Sequence, residues 1–158
     1  MKWTTAKPAP ARKPGEAHMT ADDVIARLED AGRTMMALPP RGWTTGARNF
    51  WPAIVQDPAE AYGYTDEEVR PAIPSAARIT AMDEAFGWLA YIPDDRYVLR
   101  RIVGARALVR PATGRHLYSW RRIGVLMGCD HKAAQRWHAQ GVAFIVAGWN
   151  GAPDRMAA

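Results

Sequence analysis

Apolar residues of the chain first fall into register just after Met19: Val24, Ile25, Leu28, Ala31, Met35 and Leu38 recur at steps of three and four until Pro39 and Pro40 stop the run. That period is the apolar stripe of an amphipathic helix, so a first helix is predicted over about 20–38. Thr20 is its expected N-cap, with Asp22 and Asp23 set against the positive end of the helix dipole. Ser75 opens a second pattern whose face is Ile79, Met82, Phe86, Leu89 and Ile92, and Pro93 closes it. Asp94 and Asp95 start a third, with Val98, Leu99, Ile102, Val103, Ala105 and Leu108 along its apolar side and Arg96, Arg100, Arg101, Arg106 and Arg110 around the rest. Residues 111–117 read as a loop. No run alternates as a strand does, and no repeat is visible, so the predicted class is all-α, a helical bundle.

Between and beyond these patterns the chain changes character. Residues 1–18 mix Lys7, Pro8, Pro10, Arg12, Lys13, Pro14 and Gly15 with few large apolar side chains, which is too little burial to offset the entropy of ordering. A disordered basic tail is expected there, with Met19 as a candidate natural start, and a flexible tail at 151–158. Residues 41–64 interleave Gly42, Gly46, Pro52, Pro58 and Gly63 with Trp43, Phe50, Trp51, Tyr62 and Tyr64. Such aromatics either pin a loop onto a core or stack on the bases of a single strand.

The net charge of +5 hides an uneven distribution. Residues 1–18 carry +3, 19–93 carry −5 and 94–158 carry +7. An acidic part at 19–92 followed by a basic part at 94–150 is the charge layout of a chain whose second part meets a polyanion, because Lys and Arg gain binding free energy by releasing counterions from phosphates. The layout equally suits two halves that attract one another, or a solvated basic face.

The most informative stretch runs from Ser119 to Val142. Ser119 can cap a short helix whose inner side is Trp120, Ile123 and either Leu126 or Met127. Gly128 then stands at a C-cap, Cys129 fills a small turn position, and Asp130 caps a second helix over 130–143. That helix turns Ala134, Trp137 or His138, Gly141 and Val142 inward and His131, Lys132, Gln135, Arg136 and Ala139 outward. Gly124 is small enough to let the two helices cross closely. The segment resembles the helix-turn-helix in the DNA-binding C-terminal region of bacterial sigma factors, and similar modules of phage regulators. Ser119, Trp120, Ile123, Gly124, Met127, Gly128, Cys129 and Asp130 follow that pattern without a gap, while His138 stands where the sigma pattern prefers Leu. Over about 19–150 the chain also resembles a family of small proteins carried by proteobacteria and their prophages.

The resemblance implies duplex DNA as partner, read in the major groove by His131, Lys132, Gln135 and Arg136. Arg100, Arg101, Arg106, Arg115, Arg121 and Arg122 would meet phosphates. Gln135 is suited to adenine and Arg136 to guanine. The expected role is a transcriptional regulator located in the cytoplasm at the nucleoid, with residues 19–92 contacting RNA polymerase or a second copy. Two rivals are a packaging subunit of the small-terminase kind, which would form a ring, and a nonspecific RNA or single-strand binder using Trp43, Phe50 and Trp51. No apolar stretch is long enough to cross a membrane. No cofactor and no enzymatic activity are expected. Cys129, His131 and His138 match no familiar metal spacing, and His116 has no neighbouring carboxylate in sequence to orient it as a base.

Overall fold

The computed structural model describes residues 15–39 and 71–151. The segments at 1–14, 41–64 and 152–158, for which tails and an aromatic loop are expected, lie outside the described residues.

Helix α1, Ala21–Ala37, starts in a capping box. The Thr20 hydroxyl accepts from the Asp23 backbone N–H at 3.3 Å, and the Asp23 carboxylate accepts from the Thr20 N–H at 2.9 Å. These bonds from Thr20 hold the Asp23 carboxyl below the usual carboxylate range. Helix α2, Ala76–Gly87, is capped by the Ser75 hydroxyl, which accepts from the Arg78 N–H at 3.4 Å. It tightens into a 3-10 turn over Trp88–Tyr91, which places Trp88 and Leu89 in the interior before Pro93.

The third helix departs from its expected bounds at both ends. Asp94–Arg96 form a separate 3-10 turn, and α3 proper is Tyr97–Ala107. Leu108 is extended and Val109 pairs with His116 in a single antiparallel bridge. Backbone bonds from Arg110 N–H to Arg115 O and from Leu117 N–H to Leu108 O, both 2.8 Å, close this small hairpin-like turn. A single bridged pair leaves too short a signature to read from side-chain alternation.

Helix α4, Trp120–Met127, begins at Ser119, whose hydroxyl accepts from the Arg122 N–H at 3.2 Å. It ends at Gly128, at φ 67° and ψ 32°, the left-handed conformation that a Cβ disfavours. Helix α5 then runs His131–Gly151, longer than the expected stop at 143. Its buried residues Gly141, Val142, Ile145 and Trp149 continue one stripe past that point, and no proline interrupts it.

All five helices contribute to one core, with Val24 and Leu28 from α1, Met82 and Phe86 from α2, Ile102 and Val103 from α3, Ile123 from α4, and Ile145 and Trp149 from α5. Each large aliphatic or aromatic side chain taken wholly from water contributes roughly 1.5–3 kcal/mol. Trp88 and Trp149 meet at the centre with ring centroids 5.3 Å apart and planes tilted by 59°. The acidic first part therefore packs on the basic second part through shared interior, α1 lying against α2, α3 and α5. A reciprocal amide pair reinforces this: Met19 N–H donates to Asn150 Oδ1 and Asn150 Nδ2 donates to Met19 O, both at 3.0 Å. Among the described residues the fold is all-α, and no helix is long and apolar enough to cross a membrane.

Candidate nucleic-acid interface

Helices α4 and α5 are joined by the turn Gly128–Asp130, and their contact is set by what is missing at Gly124. A Cβ there would lie 2.6 Å from the Cys129 carbonyl oxygen and 3.2 Å from the His131 backbone nitrogen. Only a hydrogen at that position lets the turn fold back against α4. Gly128 N–H donates to Val125 O at 3.2 Å and Cys129 N–H to Gly124 O at 2.8 Å, so the last carbonyls of α4 are satisfied as the chain reverses. The Asp130 carboxylate accepts from the Lys132 N–H at 3.1 Å and pairs with His131 Nδ1 at 3.0 Å, closing the start of α5.

From this start, α5 has two different halves. Ala134 is buried against α4, but Lys132, Gln135, Arg136, Ala139 and Gln140 stand in solvent; beyond Gly141 the helix enters the core. One end of a rigid rod is thus anchored and the other presents its polar side. His131 is half-buried. Arg121 and Arg122 are exposed on α4, as is Val125, at 72% of its full accessibility the most exposed large apolar residue among those described. The outward and inward positions of α5 follow the sequence period, and so does the exposure of Val125, which lies off the inner stripe of Trp120, Ile123 and Leu126 or Met127.

The six arginines expected at phosphates divide into two sets. Arg121, Arg122 and, in the loop, Arg115 are exposed. The others face inward. Arg100 is folded back onto its own chain, its Nε donating to Ile92 O at 2.8 Å, a second donor bonding the same carbonyl, and its guanidinium paired with Asp94 at 2.7 Å. Arg106 donates to Tyr118 O at 3.0 Å and lies over the Trp120 ring at 4.3 Å from the centroid. Burial lowers its pKa, against the opposing attraction of Glu29. Arg101 is half-buried, with its Nε enclosed and unpartnered among the described residues. Arg100 and Arg106, both expected at phosphates, thus have donors engaged within the fold; the sequence shows an arginine stripe on α3 but not that this helix is flanked by the Ile92 and Tyr118 carbonyls.

Trp120 is held between Arg106 on one side and His138 on the other, the latter in an edge-on contact with centroids 5.2 Å apart. Burial is the main cause that lowers the His138 pKa to about 4, with the charge of Arg106 and the nearby His116 adding to it. A carboxylate does reach His116 from a distant part of the chain, Glu29 on α1. Its distance in sequence is what hid it. Among the described residues no three His, Cys, Asp or Glu side chains gather as a metal site, and Cys129 is a free, half-buried thiol.

Trp43, Phe50 and Trp51, the residues suited to stacking on single strands, lie outside the described residues. No curated protein and no solved structure matches the chain. Residues 36–145, more than two thirds of its length, match the family described as a domain of unknown function, DUF6362. This span takes in the last two residues of α1, all of α2, α3 and α4, and the first two thirds of α5, including every residue of the exposed basic face. The chain belongs to the DUF6362 family.

Proposed function

We propose that α4 and α5 act as a helix-turn-helix that binds duplex DNA, with the first half of α5 in the major groove and Arg121 and Arg122 on the phosphates beside it. The observation that carries this reading is the division of α5: an anchored C-terminal half and a solvent-facing N-terminal half bearing Lys132, Gln135 and Arg136. An α-helix fits the major groove as a rod whose exposed side meets base edges, and positioning it takes a rigid support. Gln135 and Arg136 are the side chains whose paired donors and acceptors suit adenine and guanine; Lys132 and the two arginines of α4 supply charge. A role in transcriptional regulation follows as the simplest use of such a module.

Fluorescence anisotropy with labelled duplex and single-stranded oligonucleotides of one sequence, over a range of salt concentrations, tests this directly. The expected result is preference for duplex, with log affinity falling by about 0.9 per phosphate contact for each decade of salt. Arg121→Ala should weaken binding to all duplexes and reduce that slope by about 1. Arg136→Ala should instead relax discrimination at one base pair by about 1–3 kcal/mol. Equal affinity for single strands, together with an unchanged slope in the Arg121 variant and unchanged discrimination in the Arg136 variant, would remove the reading.

A further inference from the structure

His116 lies in the loop between α3 and α4 with an oxygen against each of its ring nitrogens. Nδ1 is 2.9 Å from the Arg106 carbonyl oxygen, and Nε2 is 3.5 Å from Glu29 Oε1 on α1. A carbonyl oxygen only accepts, so Nδ1 must carry a proton. A neutral imidazole has one N–H, which then leaves the Nε2 lone pair facing an ionised carboxylate. The imidazolium has two, and turns the same contact into an ion pair. The side chains of His116 and Glu29 are 26% and 33% exposed, so solvent and salt screen the pair less than they would a pair on the open surface.

We infer that His116 and Glu29 form a proton-operated clasp between helix α1 and the loop that leads into α4, closed when His116 is charged and loosened when it is neutral. The other charged groups around it set its surroundings. Arg106 on α3 attracts Glu29 and repels a charged His116; His138 on α5 is held neutral by burial and so leaves the pair undisturbed near neutral pH. Arg33 follows Glu29 by one turn of α1 and is paired with Asp30. Arg115 adjoins His116 but is exposed. The clasp touches the α4 support directly: His116 bonds the backbone carbonyl of Arg106, and the Arg106 guanidinium holds Tyr118 O and the Trp120 face at the start of α4. Proton uptake in the loop thereby fastens the acidic helix to the mounting of the basic pair. Nothing in this inference depends on what α5 binds.

Two measurements on the full chain test it. Long-range proton–nitrogen spectra at pH 8.5 identify which nitrogen bears the proton in the neutral ring. Nδ1–H is expected, and an Nε2–H tautomer would overturn the inference, because a neutral ring could then donate to Glu29 without taking up a proton. A double-mutant cycle with Glu29→Gln and His116→Asn, followed by urea unfolding at pH 5.5 and 8.5, measures the coupling. The Asn retains a donor for Arg106 O. The expected coupling is roughly threefold or more in the folding equilibrium at pH 5.5 and none at pH 8.5. Coupling that is absent at pH 5.5, or equal at the two pH values, refutes the clasp. Should a variant fail to fold, the tautomer of the unmodified chain still decides.

Discussion

A methyl group on Gly124 would sit 2.6 Å from the Cys129 carbonyl oxygen, which is backbone and has no rotamer by which to withdraw. Gly→Ala within a helix normally gains up to about 1 kcal/mol from propensity alone. Here the overlap must be relieved by moving the turn, and overpacking of this kind costs typically 1–3 kcal/mol. Gly124→Ala is therefore expected to destabilise the chain despite the better helix former, and to shift Gly128–Asp130 away from α4. Urea unfolding gives the first quantity, and amide shifts of Cys129 to His131 report the second. An equally or more stable variant with unmoved turn resonances would mean that the turn is looser than the geometry shows. The same residue illustrates what single positions reveal. A small residue four before a glycine C-cap was visible as a crossing point in the sequence, because the constraint is local. The partner of His116 was not, because Glu29 lies on another helix and only the packing of α1 brings it there.

At the level of elements, sequence cues worked where a cap marks a boundary. Thr20, Ser75 and Ser119 each accept the expected backbone N–H, and Gly128 takes the left-handed C-cap. They were silent on how far α5 runs: it passes the expected stop at 143 because Ile145 and Trp149 find the interior. Likewise, the exposed side of α5 was legible from its period, but the withdrawal of Arg100 and Arg106 from the surface was not, since it depends on carbonyls of neighbouring segments. Helix α4 has only eight residues, below the length at which a helix holds itself together in water. Its cap should therefore matter in proportion. Ser119→Ala removes the bond to the Arg122 N–H and is expected to cost about 1 kcal/mol. Hydrogen exchange is the discriminating measurement: amides of Arg122 to Ile123 should lose protection more than those in α1. Ser119→Asp, which keeps an acceptor and adds a charge suited to the helix start, should restore it. Uniform loss across the chain would show instead that α4 has no separate opening.

For the molecule as a whole, the packing that joins the acidic and basic parts also leaves His138 largely desolvated, and this gives the fold an acid limit. In the folded state burial depresses its pKa to about 4, against 6.5 for an unhindered imidazole. Below pH 6.5 the unfolded chain takes up a proton that the folded one refuses, so unfolding becomes easier as pH falls. The contribution of neutral His138 is thus fully present above about 6.5 and is lost between there and about 4, with a ceiling on the order of 3 kcal/mol. Substituting His138→Leu isolates this contribution. Leucine has no proton to refuse and can still fill the space beside Trp120, which should leave stability at pH 7 similar or higher while removing the loss between pH 6.5 and 4.5. Urea midpoints of the two proteins at pH 7, 5.5 and 4.5 provide the comparison, because titration of the carboxylates common to both cancels in the difference. The gap should widen in favour of the Leu variant as pH falls. A gap that stays constant would mean that the folded chain accepts the proton on His138 as readily as water does, and that the space beside Trp120 opens to admit solvent.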